Sequence, residues 1–260
     1  MRRIIITATA LTVLAAAAVA YAQTTSNTYT ASFVFHEKGT GTRKKPVGVG
    51  FSEKLTAATA TAGMRAAPLT DIKTTLTDMK VDLKGWPTCS AAKIIAAKND
   101  TVCPKGALLA SGGITAELGD NTLQGQGTPC QPLLDAWNAG GGKVNFFFVV
   151  SGTHQCGGLQ TGATAPFTGT LVQSGSDVIL DIPLPADVST EAANIPGTYG
   201  SLTLETLNWP ERSIKVRGKR VDWLQSTGCV QGSRPVSVAF TATDAAGETL
   251  TGSASARDSC

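Results

Sequence analysis

The sequence lacks the short motifs that mark the common enzyme and metal-binding classes. It has no C-x-x-C pair and only two histidines, so a zinc site of the Cys/His type is not predicted. It also has no G-x-S-x-G elbow, no Gly-rich phosphate loop and no EF-hand loop. We therefore predict no catalytic residue set, no metal site and no cofactor.

Charged and aromatic residues are also sparse. They make up 16% and 6% of the chain, while hydrophobic residues make up 42%. This composition is too apolar for a disordered chain, and its 28 glycines argue against a coiled coil or a helical bundle. A chain of 260 residues is long enough for one domain with a real core.

The first 22 residues have the three-part pattern of a secretory signal peptide. A basic Arg2-Arg3 head precedes an apolar run over 4–19, and the small-x-small triplet that ends at Ala22 is typical of a cleavage site. The run is short for a bilayer span, so we expect cleavage after Ala22 rather than a membrane anchor. We predict a signal peptide over 1–22 and a secreted domain over 23–260, with no transmembrane segment after cleavage.

Cleavage would also remove two basic residues, which brings the formal net charge of +3 close to neutral. A nearly neutral chain gives little attraction for a polyanion, so no nucleic-acid partner is predicted.

All six cysteines follow the expected cleavage site, which in an exported chain is typical of disulfides. Six cysteines allow many pairings, so their number alone leaves the connectivity open. Residues 90–99 (SAAKIIAAKN) predict the one good helix of the chain, because Ser90 can cap it and alanine is the best helix former. Cys89 and Cys103 bracket this helix, so we predict a bridge between them.

Short alternating or apolar runs, separated by Gly, Pro, Asn and Asp, fill most of the chain. Their spacing is typical of an all-β sandwich, and no long helices alternate with them as in α/β folds. The predicted strands are 29–36, 47–55, 69–83 with a break near Asp78, 107–118, 143–151, 167–173, 177–184, 199–209, 213–223, 235–244 and 248–256. We predict a single-domain β-sandwich, Greek-key or jelly-roll-like, with one short disulfide-bracketed helix.

The last two predicted strands form a hairpin around a turn at 244–247 (DAAG). Extending their register toward the open end places Cys229 close to Cys260, which predicts a second bridge. Cys130 and Cys156 then form the third pair by elimination.

Several of these features together resemble a known family. They are the run 86–89 (WPTC) before a short helix, 103–106 (CPKG) leading into 110–112 (ASG), 137–138 (WN), the strand over 178–183 and the closing Cys229–Cys260 hairpin. The chain resembles a family of secreted, disulfide-containing β-rich proteins best known from actinobacteria, for which no activity is assigned. The resemblance implies the fold and an extracellular location, and it implies no catalytic residue.

Two groups of side chains are candidate ligand contacts. Trp137 and Trp209 can stack on sugar rings if their faces are exposed, although tryptophans in a sandwich also pack in the core. Lys215 and Arg217 share one face of the strand predicted over 213–223, where they can contact an anionic cell-wall or extracellular glycan. The structural alternative is a solvated strand face that resists edge pairing.

A pair of carboxylates at a suitable distance would indicate glycoside hydrolysis. Asp177 and Asp181 share one strand face, but four residues of strand separate them by about 13 Å. Glycosidase pairs lie at about 5–9.5 Å, so this pair does not fit, and only the fold can bring Glu205 or Glu117 closer to another acid. The leading hypothesis is a non-catalytic extracellular protein with a structural or binding role. The alternatives are a carbohydrate-binding or adhesive module, and an extracellular hydrolase whose carboxylates the fold gathers.

Overall fold

The computed structural model of the chain describes residues 26–37, 39–157, 162–163 and 165–260. The predicted signal peptide over 1–22 lies outside the described residues. Within them, no helix has the length and apolar character that a membrane crossing demands. The helix is α1 (Ala91–Ala97), with short 3-10 turns at Lys105–Ala107 and Ala192–Asn194.

Strands make up most of the described chain. They are β1 (Asn27–Glu37), β2 (Val47–Thr59), β3 (Leu69–Leu76), β4 (Met79–Val81), β5 (Leu108–Asp120), β6 (Thr128–Cys130), β7 (Leu133–Gly140), β8 (Lys143–Val150), β9 (Gly162–Ala163), β10 (Phe167–Ser174), β11 (Asp177–Pro183), β12 (Thr198–Trp209), β13 (Ser213–Val216), β14 (Lys219–Asp222), β15 (Leu224–Ser226), β16 (Ser233–Thr243) and β17 (Thr249–Ser259).

Fifteen of these strands form one antiparallel sheet, in the order β17-β16-β3-β11-β10-β8-β7-β5-β12-β2-β15-β4. β1 pairs with β2, β6 with β5 and β9 with β8, whereas β13 and β14 form a separate two-stranded sheet. Some neighbouring strands, such as β7 and β8, form local hairpins. Others pair strands that are far apart in the chain, since β12 lies between β2 and β5, and β16 pairs with β3. The chain therefore closes its core mainly through contacts between distant segments.

The sheet curls until β1 and β17, the first and last strands of the chain, lie side by side. The Phe35 N–H donates to Asp258 Oδ2 at 2.7 Å. The ring of Tyr29 stacks on Phe240 with 4.3 Å between centroids. Apolar residues alternate along these strands, so one face of the curled sheet encloses a common core. The predicted all-β, sandwich-like single domain with one short bracketed helix is confirmed.

Strand β8 is central, as its continuous apolar run NFFFVV indicated, because it is covered on both faces. Val144, Phe146 and Phe148 point into the main core. Phe147 points the opposite way, into a small second core formed with Ile94 of α1, Trp137 and the Cys89–Cys103 bridge. We call this second core the helix lobe.

All six cysteines are paired as predicted, Cys89 with Cys103, Cys130 with Cys156 and Cys229 with Cys260. The Ser90 side chain caps α1 by accepting from the Lys93 N–H at 3.3 Å. The β16–β17 register differs by one residue from the predicted one, since Thr243 faces Thr249 across a five-residue loop. The Asp244 N–H donates to the Glu248 carbonyl oxygen at 3.0 Å and closes that loop.

Two other predictions differ from the structure. The single strand predicted over 213–223 is a hairpin, because Arg217 and Gly218 have positive φ angles of 50° and 81° and reverse the chain. Strand β7 was not predicted, although it lies in the middle of the sheet. Its sequence, LLDAWNAG, mixes small, polar and apolar residues because its two faces meet different neighbours.

Candidate binding site

An apolar cavity of about 340 Å³ lies inside the curled sheet. Its inner walls are buried side chains of five strands: Ile72 on β3, Ile114 on β5, Leu134 on β7, Phe146 on β8 and Ile182 on β11. The rings of Phe146 and Phe148 pack against Phe167, with centroids 5.4 and 5.5 Å apart, and form an aromatic wall. A volume of this size lies in the range of roughly 300–1,000 Å³ that is typical of small-molecule sites.

One end of the cavity is its mouth, because the lining side chains become more exposed toward it. Leu118, Val150 and Leu202 are only half-buried there, each at a distance along its strand from the buried wall, and so is Leu184, which directly follows β11. The segment 185–197 between β11 and β12 forms part of the rim, and so do Cys130 and Cys156. A disulfide therefore fixes one side of the opening.

Glu205 lines the buried part of the cavity and comes from β12. In a regular strand, Leu202 and Glu205 would face opposite sides, because they are three residues apart. The β12–β5 register shifts between Leu202 and Leu204, and this bulge turns both Leu202 and Glu205 toward the cavity. The irregularity in β12 is therefore the feature that brings a carboxyl group into an apolar pocket.

The Glu205 carboxyl has no compensating partner in the described chain. The side chain is 4% exposed, and it forms no ion pair with a described residue. The charged residues that line the cavity are Glu205 and, at the rim, Asp187, so no lysine, arginine or histidine is among the described lining residues. Burial raises the pKa of Glu205 to about 7.

Glu53 lies behind Glu205 on the neighbouring strand β2. Glu53 faces Leu207 and Glu205 faces Leu55, so the two glutamates are diagonal neighbours in the β2–β12 ladder. Glu53 is 4% exposed, and its Oε1 accepts from the Trp209 indole N–H at 2.7 Å. Burial, followed by the charge of Glu205, raises the pKa of Glu53 to about 8 against the lowering effect of that hydrogen bond. Two buried carboxyls thus interact, and only Glu205 lines the cavity.

A sequence signal for this pair exists but was missed. Val49, Phe51, Leu55 and Ala57 all face inward at alternate positions of β2, and Glu53 occupies the same row. Glu205 similarly shares a buried row with Leu207 and Trp209. A charged residue inside an alternating apolar row marks a buried polar group, and it also marks a candidate site.

The stacking role predicted for Trp137 and Trp209 is wrong. Trp137 is 6% exposed and Trp209 is 1% exposed, so neither offers a face to a sugar. Each tryptophan instead donates its indole N–H to a buried carboxyl, Trp209 to Glu53 and Trp137 to Asp100 Oδ2 at 3.0 Å. They are core residues, because wide apolar rings release most free energy when buried.

Asp100 belongs to a second carboxyl pair, with Asp135 of β7 in the helix lobe. Burial, then a hydrogen bond with Asp100 and its charge, raises the pKa of Asp135 to about 7. Neither Asp100 nor Asp135 is among the residues that line the cavity beside Glu205.

Lys215 and Arg217 are exposed on the β13–β14 hairpin and do not line the cavity. Arg217 lies in the turn rather than in a strand, so the two cations do not form the regular strip that the sequence predicted. Asp177 and Asp181 have structural partners, since Asp177 Oδ1 accepts from the Asp78 N–H and Asp181 pairs with Lys73 at 3.1 Å.

No family model, no curated protein and no solved structure matches this chain.

Proposed function

We propose that this protein is a non-catalytic extracellular binding protein that holds one small, largely apolar molecule in the cavity inside its curled sheet. The observation that carries the proposal is an apolar cavity of about 340 Å³ in which Glu205 is the one carboxyl group that the described residues place in the buried part. The expected export of the chain, with its three disulfides, supports an extracellular role.

The lining favours binding over hydrolysis. A glycosidase needs two carboxyl groups that flank the scissile bond, together with polar groups that hold the sugar hydroxyls. Here Glu53 bonds to Trp209 outside the cavity, so Glu205 faces the apolar walls alone. Because the fold brings the Glu53 and Glu205 carboxyls together, a hydrolase remains the alternative function. The apolar walls, however, match a sugar poorly.

The test uses octan-1-ol, a neutral molecule with an apolar chain, and isothermal titration calorimetry. Ala116 lines the cavity from β5, so Ala116→Phe fills it with a ring. Ala58→Phe on the exposed face of β2 is the matched control, because it adds the same ring outside. We expect binding with a negative heat-capacity change in the unmodified protein and in Ala58→Phe, and loss of binding in Ala116→Phe. Equal binding by all three proteins would refute the cavity as the binding site.

A second candidate role, contact with an anionic cell-wall glycan, rests on the β13–β14 hairpin. Lys215, Arg217 and Lys219 are exposed there and form no ion pair with described residues. Retention of the protein on immobilised heparin, an anionic glycan, should fall in Lys215→Gln/Arg217→Gln and be sensitive to salt. Unchanged retention of this variant would remove the hairpin from the proposal.

A further inference from the structure

We propose that the molecule bound in the cavity carries a protonated amine, which meets the Glu205 carboxylate, on an apolar body that fills the space beside the aromatic wall. This inference rests on the proposed function, because it names the chemical class of ligand for the same cavity.

The first support is the sign of every charge near the cavity. Glu205 lies in its buried part, Glu53 is the diagonal neighbour of Glu205 on β2, and Asp187 lies at the rim. All three are acids, and no cation is among the lining residues that the structure describes. Above about pH 7, where the Glu205 carboxyl is ionised, the potential along the route from mouth to inner wall is therefore negative, which attracts cations and repels anions.

The second support is that the Glu205 carboxylate lacks a partner. Buried charges in proteins are normally paired, because taking an unpaired charge out of water is costly. No described ion pair involves Glu205, whereas the neighbouring Glu53 at least accepts the Trp209 indole N–H. An alkylammonium group brings both the missing positive charge and up to three N–H donors to one acceptor-only carboxylate.

The third support is the contrast between the polar Glu205 carboxyl and the apolar walls of the cavity. Residues such as Ile72, Phe146 and Phe167 bury an apolar body, and they offer no polar group for a second head group on the ligand. The complementary ligand is therefore amphiphilic, with one cationic end and an apolar remainder. A carboxylic acid would place a third acid beside Glu205 and Glu53, and an alcohol would leave the charge of Glu205 unbalanced.

The experiment compares octan-1-amine, octan-1-ol and octanoic acid, which share one chain and differ in the head group. Calorimetric titrations at pH 8 use the unmodified protein, Glu205→Gln and the control Glu248→Gln. Glu248 lies exposed in the β16–β17 loop, so its variant changes the net charge equally without touching the cavity. We expect the amine to bind about tenfold or more tighter than the alcohol in the unmodified protein and in Glu248→Gln. In Glu205→Gln this preference should disappear while the alcohol still binds.

A pH series adds a readout that a purely structural role for Glu205 would not change. Burial holds the pKa of Glu205 at about 7, and an alkylamine stays protonated to about pH 10, as lysine does. The amine affinity should therefore be highest between those values and fall about tenfold or more at pH 5.5, while the alcohol affinity stays nearly constant.

The outcomes separate the two proposals. If none of the three molecules binds, the proposed function fails, and this inference fails with it. If the alcohol binds and the amine binds no tighter, or if octanoic acid binds tightest, the cavity function stands and the amine inference is overturned.

Discussion

Two parts of this protein each contain a carboxyl pair joined to a tryptophan, and they differ in what lies beside the pair. In the main core, the Trp209 indole donates to Glu53, which neighbours Glu205. In the helix lobe, the Trp137 indole donates to Asp100, which neighbours Asp135. Glu205 lines a cavity of about 340 Å³. Asp135 is half-buried on strand β7 and does not line that cavity.

The comparison teaches that raised pKa values alone do not identify a binding site. Burial raises the pKa of both Glu205 and Asp135 to about 7. The difference is the apolar cavity beside the Glu205 carboxyl, which has room for a ligand that can satisfy that carboxyl.

The largest effect should be on the pH dependence of stability. Glu53 and Glu205 have pKa values raised from 4.5 to about 8 and about 7, so the folded protein holds protons that the unfolded chain has released. The free energy of unfolding should therefore fall as pH rises from about 4.5 to about 8, with Glu205 alone contributing about 3 kcal/mol. Thermal midpoints measured at pH 5 and pH 8 should differ by several degrees, and Glu53→Gln/Glu205→Gln should flatten this slope.

The matched variant in the helix lobe is Asp135→Asn. Its effect on the pH slope should be smaller, because Asp135 is half-buried and solvent screens its charge. An equal flattening by the two sets of substitutions would contradict the contrast between the pairs.

The Cys89–Cys103 and Cys130–Cys156 disulfides should have similar effects on the free energy of unfolding and different effects on ligand binding. Replacing Cys89 and Cys103 by serine opens a loop with a sequence separation of 14, and replacing Cys130 and Cys156 opens one of 26. Each loss should lower the free energy of unfolding by about 3–4 kcal/mol in the chain-entropy model. Only the second should weaken octan-1-ol binding, because that bridge lines the cavity mouth. Urea titration and calorimetry on both variants provide the check, and weaker binding in the first variant would count against the assignment of the mouth.

The indole donors should contribute less than the bridges. Trp209→Phe and Trp137→Phe each leave a buried carboxyl without its donor, which costs about 1–3 kcal/mol. The cost should be greater at Trp209, because Glu53 is more fully buried than Asp100, at 4% against 8% exposure. Urea denaturation measures both, and a larger loss for Trp137→Phe would reverse the expected order.

The smallest effect should stay within the helix lobe. Ser90→Ala removes the side-chain cap of α1 and should cost about 1 kcal/mol. Hydrogen exchange should speed up in α1, while the binding of octan-1-ol stays unchanged. A change in binding would show that the lobe and the cavity are coupled.

Local pattern predicted much of the fold. The alternation of β1, the continuous apolar run of β8 and the capped helix all appear near their expected bounds. Strand β7 was not predicted, because a strand that meets different neighbours on its two faces has no clean hydrophobic period. The chain reversal at Arg217 was not predicted either. The separation of 213–223 into two strands depends on positive φ angles that these residue types adopt only in context.

Glu53 and Glu205 show that local sequence pattern predicts only part of the site. Each is visible in the sequence as an acid inside an alternating apolar row. Their neighbourhood follows from the β2–β12 register, and the orientation of Glu205 follows from the bulge in β12. Neither feature is encoded by residues close in the chain, so neither could be derived from a local pattern.

The sequence by itself determined that this is an all-β chain with one capped helix and three disulfides, because strand alternation, helix capping and cysteine positions act over short distances or through a single hairpin register. The tertiary structure alone decided that the tryptophans are buried and that a cavity exists with one carboxyl inside it. The physical reason is that a cavity is a property of how distant strands curl and of where their side chains fail to fill the space between them. That outcome depends on long-range pairing, which the chain achieves only when it is folded.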